Sequence, residues 1–360
     1  MVEWLAGNRI RGTSTERTSA TGFNPVTTSG GWKELGRTTF GGGAKEYSVS
    51  SLDNKRYYMI LVNNFQSGQT EGDSWKVNST SGNEYSGRES KNGDVYNGTM
   101  INKAKTAFWG FHPHSQPSFA VGWTANFATK EKLGISKSVG QISNVYGATN
   151  PPDRGESEQK WANTSNSINE FMQKNAWNNY NSGSEMVVLG WDPADTHTTN
   201  FWEELASVDL SGGASNNIDS GTITAKKYLW IQIYAEVSTS CNGAFTFNSD
   251  TGSNYAIRVS ANGGTDGTWG GLTNLNFQGT IDTKPVFQNA FIINNSANEK
   301  LMMGNNIDQG TAGEGNPPNR KEYAGKWVPL TNQQITSINY KSNSANTFGT
   351  NSFMKVWGSD

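Results

Sequence analysis

The chain holds one cysteine, Cys241, and three histidines, His112, His114 and His197, among 360 residues. A single cysteine excludes an intrachain disulfide, and with it the bridged scaffold of a small secreted domain. No run of about 18 apolar residues exists, so no membrane-spanning helix is expected. The opening MVEWLAGNRIRG lacks a basic stretch followed by an apolar one. No ordinary signal peptide is therefore expected, and the reading is a protein made in a cytoplasm that leaves, if it leaves, by a route other than secretion. The net charge is only −2, which gives no strong pull toward nucleic acid or anionic membranes. Long helical periodicity is missing as well. The best helical candidates are NSINEFMQKNA (166–176) and the short WKEL (32–35) and FWEEL (201–205).

What is present points to sheets. Hydrophobic residues reach only 34%, yet there are 13 Trp and 16 Phe, which a disordered chain would lack. Short runs rich in aromatic and β-branched residues sit between Gly, Asn, Ser and Pro clusters. They include RYYMILV (56–62), AFWGFH (107–112), FAVGW (119–123), EMVVLGW (185–191), YLWIQIYAEV (228–237), YAIRVS (255–260), PVFQNAFIIN (285–294) and FMKVWG (353–358).

One phrase occurs twice. GATNPPDRGESEQKW (147–161) and GEGNPPNRKEYAGKW (313–327) share Gly, Asn-Pro-Pro, Arg and Lys-Trp at the same internal spacing. Further anchors are collinear with it. Trp32 and Leu35 meet Trp202 and Leu205, Tyr85 and Arg88 meet Tyr255 and Arg258, and EKL at 131 meets EKL at 299. The offset stays within 166 to 171 residues, a drift that loop insertions explain. The expected organisation is all-β: a tandem duplication of two antiparallel jelly-roll-like β-sandwiches, residues 31–192 and 201–360, joined by a linker at 193–200 and preceded by an N-terminal extended arm, residues 1–30.

Catalytic constellations are hard to find. No G-x-S-x-G elbow, P-loop or dinucleotide fingerprint occurs, and Cys241 has no histidine nearby in sequence. A paired-carboxylate site would have to use Glu131 and Glu299 or the Glu34, Glu203 and Glu204 set, and twin copies of such residues argue for structural roles. The expectation is no enzyme, no catalytic or cofactor residue and no metal ligand. His112 and His114 in HPH read as a polar loop. Asp192 and Asp195 in DPADTH could offer oxygen ligands to Ca²⁺, although Asp and Thr also cap turns on their own. In the repeated phrase, Asn-Pro-Pro holds the chain extended, Arg154 or Arg320 can fork to carboxylates or carbonyls, and Trp161 or Trp327 plugs the core. Trp75, Trp177 and Trp269 read as loop aromatics able to stack on sugar faces.

Residues 1–30 have no counterpart in the second repeat. Trp4, Leu5 and Ile10 are apolar anchors, Arg9, Arg11 and Arg17 form a basic cluster, and the rest is largely Ser and Thr. Such a segment cannot build a core, which suggests an assembly arm with Trp4 as its anchor.

The stretches WLAGNRIRGTSTERTS, KWANTSNSIN and SEMVVLGWDPADTHTTNFWEELASVDLSGG resemble uncharacterised predicted proteins of marine tailed viruses of bacteria or archaea. The resemblance implies a virion structural protein of tail-fibre, host-recognition or capsid-surface type. Its partners would be its own copies, other virion proteins and a host surface glycan or receptor, with no nucleic acid and no membrane insertion. Unlike better-known fibres, the chain has neither a fibrous β-helix repeat nor heptads for trimerisation. The alternatives are a carbohydrate-binding lectin-like module, a double-jelly-roll-like capsid protein and a hydrolase on a sandwich scaffold.

Overall fold

The computed structural model describes residues 31–66, 73–93, 98–103, 117–140, 147–175, 177–193, 195, 197, 199–236, 243–277 and 285–360. The arm, the AFWGFH run and Cys241 lie outside them. Every described element is a strand, and every described strand pairing is antiparallel. The first half contributes β1 (Lys33–Thr39), β2 (Glu46–Val49), β3 (Tyr57–Asn64), β4 (Asp73–Val77), β5 (Tyr85–Lys91) and β6 (Gly98–Lys103). It continues with β7 (Ser118–Ala125), β8 (Lys132–Gly140), β9 (Asp153–Trp161), β10 (Phe171–Asn175) and β11 (Glu185–Trp191). The second half contributes β12 (Glu203–Asp209), β13 (Asn217–Asp219), β14 (Tyr228–Ala235), β15 (Gly243–Phe247), β16 (Tyr255–Ala261) and β17 (Gly267–Leu272). It ends with β18 (Val286–Ile293), β19 (Lys300–Asp308), β20 (Asn319–Trp327), β21 (Ile338–Ser342) and β22 (Phe353–Ser359).

Each half forms an eight-stranded and a three-stranded sheet. The first half runs β1-β11-β3-β7-β8-β9-β5-β6 with β2-β10-β4. The second runs β12-β22-β14-β18-β19-β20-β16-β17 with β13-β21-β15, the same order strand for strand. Local chemistry repeats too. Asn78-Ser79 and Asn248-Ser249 all have positive φ, between 49° and 57°. Asn tolerates that region because its short amide bonds locally. Asn78 accepts from the amides of Asn169 and Glu170, and Asn248 does the same for Thr336 and Ser337.

The central strands are apolar on both faces because both faces are covered. In β3, Tyr58, Ile60 and Val62 join the core shared with the three-stranded sheet, built from Tyr47, Val49, Trp75, Val77 and Phe171. The intervening Met59 and Leu61 point the other way, into a second core. That second core is shared between the halves: Leu61, Phe119, Val121, Val139 and Val187 meet Trp202, Tyr228, Trp230, Phe291, Met303 and Trp357. The period-two alternation of a strand thus feeds two different cores. The described residues form a stack of three-, eight-, eight- and three-stranded sheets, with the two large sheets back to back.

The helical expectations fail in an instructive way. WKEL and FWEEL run into the edge strands β1 and β12, and NSINEFMQKNA contains β10. Phe171, Gln173 and Asn175 are buried while Met172 and Lys174 are half-covered, a strand alternation. β10 lies between β2 and β4, so both its backbone edges are taken by ladders, and that pairing overrides local propensity.

Candidate functional site

The repeated phrase builds the same plug twice. The indole of Trp161 donates to Glu84 at 2.6 Å and that of Trp327 to Asp250 at 2.7 Å. The ammonium groups of Lys132 and Lys300 sit over these rings, at 5.5 and 6.0 Å. Burial pushes the Lys300 ammonium down to about 8. The EKL glutamates pair with the lysine of Lys-Trp in both copies, Glu131 with Lys160 at 2.9 Å and Glu299 with Lys326 at 3.2 Å.

The first copy of the phrase also clasps the other half through several hydrogen bonds, whereas among the described residues the second copy's ion pair across the junction is Glu322 with Arg154. Pro152 accepts from Arg258 Nε at 2.8 Å, the Gly147 amide donates to Glu299 at 2.8 Å, and the Gly271 amide donates to Ala148. Arg154 forks to both carboxylate oxygens of Asp266, at 3.0 and 2.9 Å, and lies near Glu156 and Glu322 at 3.2 and 3.6 Å. Its side chain is 5% exposed and that of Asp266 is 2% exposed. Arg320, at the same place in the second copy, is 62% exposed and reaches only Glu322. A second bridge forms at Glu185, which accepts from Thr39, Lys227 and Tyr228. Burial alone would raise its carboxyl, but these three hydrogen bonds outweigh it and hold the group below the usual carboxylate range.

Equivalent positions meet each other across the junction. Lys137, sixth in β8, donates to Asn305, sixth in β19, at 2.6 Å. Trp123, sixth in β7, packs on Phe291, sixth in β18, at 5.7 Å. Such self-contact is the mark of a two-fold-like relation between the halves. Closure is nevertheless lopsided. Tyr228, Phe291, Ile293, Leu301 and Met303 are buried against the first half. Their counterparts Tyr57, Trp123, Ala125, Leu133 and Ile135 line an open groove of about 540 Å³, together with Trp32 and Trp191. Leu133 and Ile135 are 58% and 56% exposed there. The groove is open and lined mainly by apolar side chains, and its walls suit an apolar occupant.

The sequence-derived sugar contacts divide. Trp75 is a correction: it lies in β4 at 8% exposure, tilted against Phe171, with its indole donating to Gln159 at 2.6 Å. Its face is covered by its own sandwich and cannot stack on a sugar. Trp177 and Trp269 are 66% and 51% exposed, Trp177 in the loop after β10 and Trp269 on the edge strand β17. Trp4, Arg9, Arg11, Arg17, His112 and His114 lie outside the described residues. In DPADTH, Asp195 takes the Asp192 amide at 2.7 Å and the Lys55 ammonium, while His197 lies 3.0 Å from the Gly31 carbonyl. The described residues Asp192, Asp195 and His197 are thus held by bonds to the protein itself. Among the described residues no group of three or more His, Cys, Asp or Glu side chains could hold a metal ion.

Compared with known proteins, the chain matches no family model and no curated protein. The fork of Arg154 to a carboxylate was read from the sequence, whereas its partner's place in the other half and the groove were not. The one available signal was Leu133 and Ile135 alternating with Gly134 and Ser136 in a strand, which specifies an apolar face but not whether anything covers it.

Proposed function

We propose that the protein is a structural component of a virus particle, of tail-fibre, host-recognition or capsid-surface type, assembled with its own copies and other virion proteins through its N-terminal arm. The observation that carries this reading is the welding of two like-ordered sandwiches through one apolar core and a buried Arg154 to Asp266 fork. A block of that kind resists relative motion of its halves, as a particle subunit must, whereas enzymes commonly need hinged parts. Repetition of strand order, turn residues and ion pairs supports origin by internal duplication. The arm supplies the second half of the argument. It is polar apart from Trp4, Leu5 and Ile10, and its arginines suit carboxylates or carbonyls on a neighbour.

Deleting residues 1–20 should leave the melting temperature nearly unchanged while abolishing incorporation into oligomers or particles, read by light scattering and particle sedimentation. Normal incorporation of the shortened chain would remove the arm from the assembly role. Glycan recognition is the second reading, and the exposed Trp177 and Trp269 favour it. Binding on a glycan array that is lost in Trp269→Ala or Trp177→Ala would establish it, alone or as the host-recognition half of the first reading.

A further inference from the structure

The groove on the first half is a surface that its counterpart in the second half never leaves bare. The two faces carry similar side chains at Tyr57 and Tyr228, Trp123 and Phe291, Leu133 and Leu301, and Ile135 and Met303, but Trp191 of the groove stands where the second half has Ser359. One lies under a neighbouring sheet and the other is open. The second half also shows how the entering chain contributes to the cover. Phe201 directly precedes Trp202, its amide bonds to the Trp32 carbonyl at 2.7 Å, and its ring lies 6.3 Å from Tyr228 and 5.1 Å from Trp202. In the first half the residue before Trp32 is Gly31, which has no side chain; Tyr57 is flanked by Trp191 at 5.4 Å and Phe127 at 5.9 Å, while Leu133 and Ile135 stay exposed. The residues before it are Thr27, Thr28, Ser29 and Gly30, and the first apolar group upstream is Phe23-Asn24-Pro25-Val26.

We propose that Phe23–Val26 of the chain's own N-terminal segment seats in the groove bounded by Trp32, Tyr57, Trp123, Leu133, Ile135 and Trp191, taking the place that Phe201 and the first half's sheet take on the second. The segment enters β1 through Trp32, itself a wall of the groove. The reach is adequate. Extended chain covers about 3.3 Å per residue, so Val26 can lie roughly 17 Å and Phe23 roughly 26 Å from Gly31. The sheet from β1 to β8 crosses four strand spacings, roughly 19 Å at about 4.8 Å each. Pro25 suits a strap that crosses strands without joining a ladder, because it has no amide to leave unbonded. This seating is independent of the particle assignment, since a strap on its own sandwich suits a protein of any role.

The test is cross-linking of the full chain carrying Cys241→Ser, with Phe23→Cys and Ile135→Cys bridged by a short bis-maleimide. A link within one chain should form roughly tenfold faster than the link from Phe23→Cys to Glu46→Cys on the far three-stranded sheet, the gain in effective concentration that a seated tether has over a free one. Equal rates to both positions, or no link, overturn the proposal. A link between two chains overturns it in favour of a second copy's arm in the groove. A second reading needs no cross-link. Phe23→Ser with Val26→Ser should raise binding of the apolar dye bis-ANS several-fold by uncovering the groove, and unchanged dye binding would also overturn it.

Discussion

Arg154→Met should lower the unfolding free energy by about 3–5 kcal/mol, the usual cost of removing one partner from a buried ion pair. The reason is what remains. Asp266 is almost wholly covered, and its remaining cationic neighbour is Arg258 at 3.8 Å. Glu156 and Glu322 keep Lys137 and Arg320, so most of the loss falls on Asp266. Arg154→Lys should recover part of it, because an ammonium restores the charge but not the fork. Arg320→Met is the internal control, for it occupies the same place in the second copy of the phrase yet is largely exposed. Its effect should stay within about 0.5 kcal/mol. Chemical denaturation of the three variants checks this. Equal effects of Arg154→Met and Arg320→Met would mean that the phrase acts only within its own sandwich.

Trp230→Ala should cost about 3–5 kcal/mol, the range for emptying a Trp-sized site in a core. Trp230 is stacked on Phe291 at 5.5 Å, lies 5.0 Å from Trp357 and 5.7 Å from Trp202, and donates to Asn289 at 2.6 Å. All of these belong to the second half, but the cluster packs on Leu61, Phe119 and Val187 of the first. The two halves should therefore melt together. Specific unfolding entropies of about 2.1 cal/mol/K per residue give a shift of about 1.5 °C per kcal/mol when some 330 residues unfold as one unit, and about 3 °C when half of them do. Calorimetry should show a single transition moved down by roughly 4–7 °C. Two separated transitions, with only one of them moved, would show that the shared core does not couple the halves.

Much of the fold was legible because strands that bury both faces write nearly continuous apolar runs. EMVVLGW became β11 with the same bounds, and Tyr255 and Trp327 emerged in register with each other, as Tyr85 and Trp161 did. What was illegible depends on packing between halves, which neither copy records. Arg154 and Arg320 are the same residue in the same phrase, yet one is sealed and the other exposed. Leu133 and Leu301 sit at the same place in EKL, and only docking covers one of them. The failure at 166–176 has a different cause: Asn-rich turns next to Phe171 mimic a helical spacing, and only pairing with β2 and β4 makes the segment a strand. Trp75 was misplaced because the strand carrying it is short and polar at its start, Asp73-Ser74, which reads as loop.

Membership of a virus particle is the proposed role of this double sandwich. Its most direct test is quantitative mass spectrometry of density-gradient-purified virus particles from cells that produce the protein. The chain should co-purify with the particles in a fixed copy number relative to the other particle proteins and stay bound through repeated banding. Recovery of the chain only in the soluble fraction of the lysate, with none in banded particles, would contradict it.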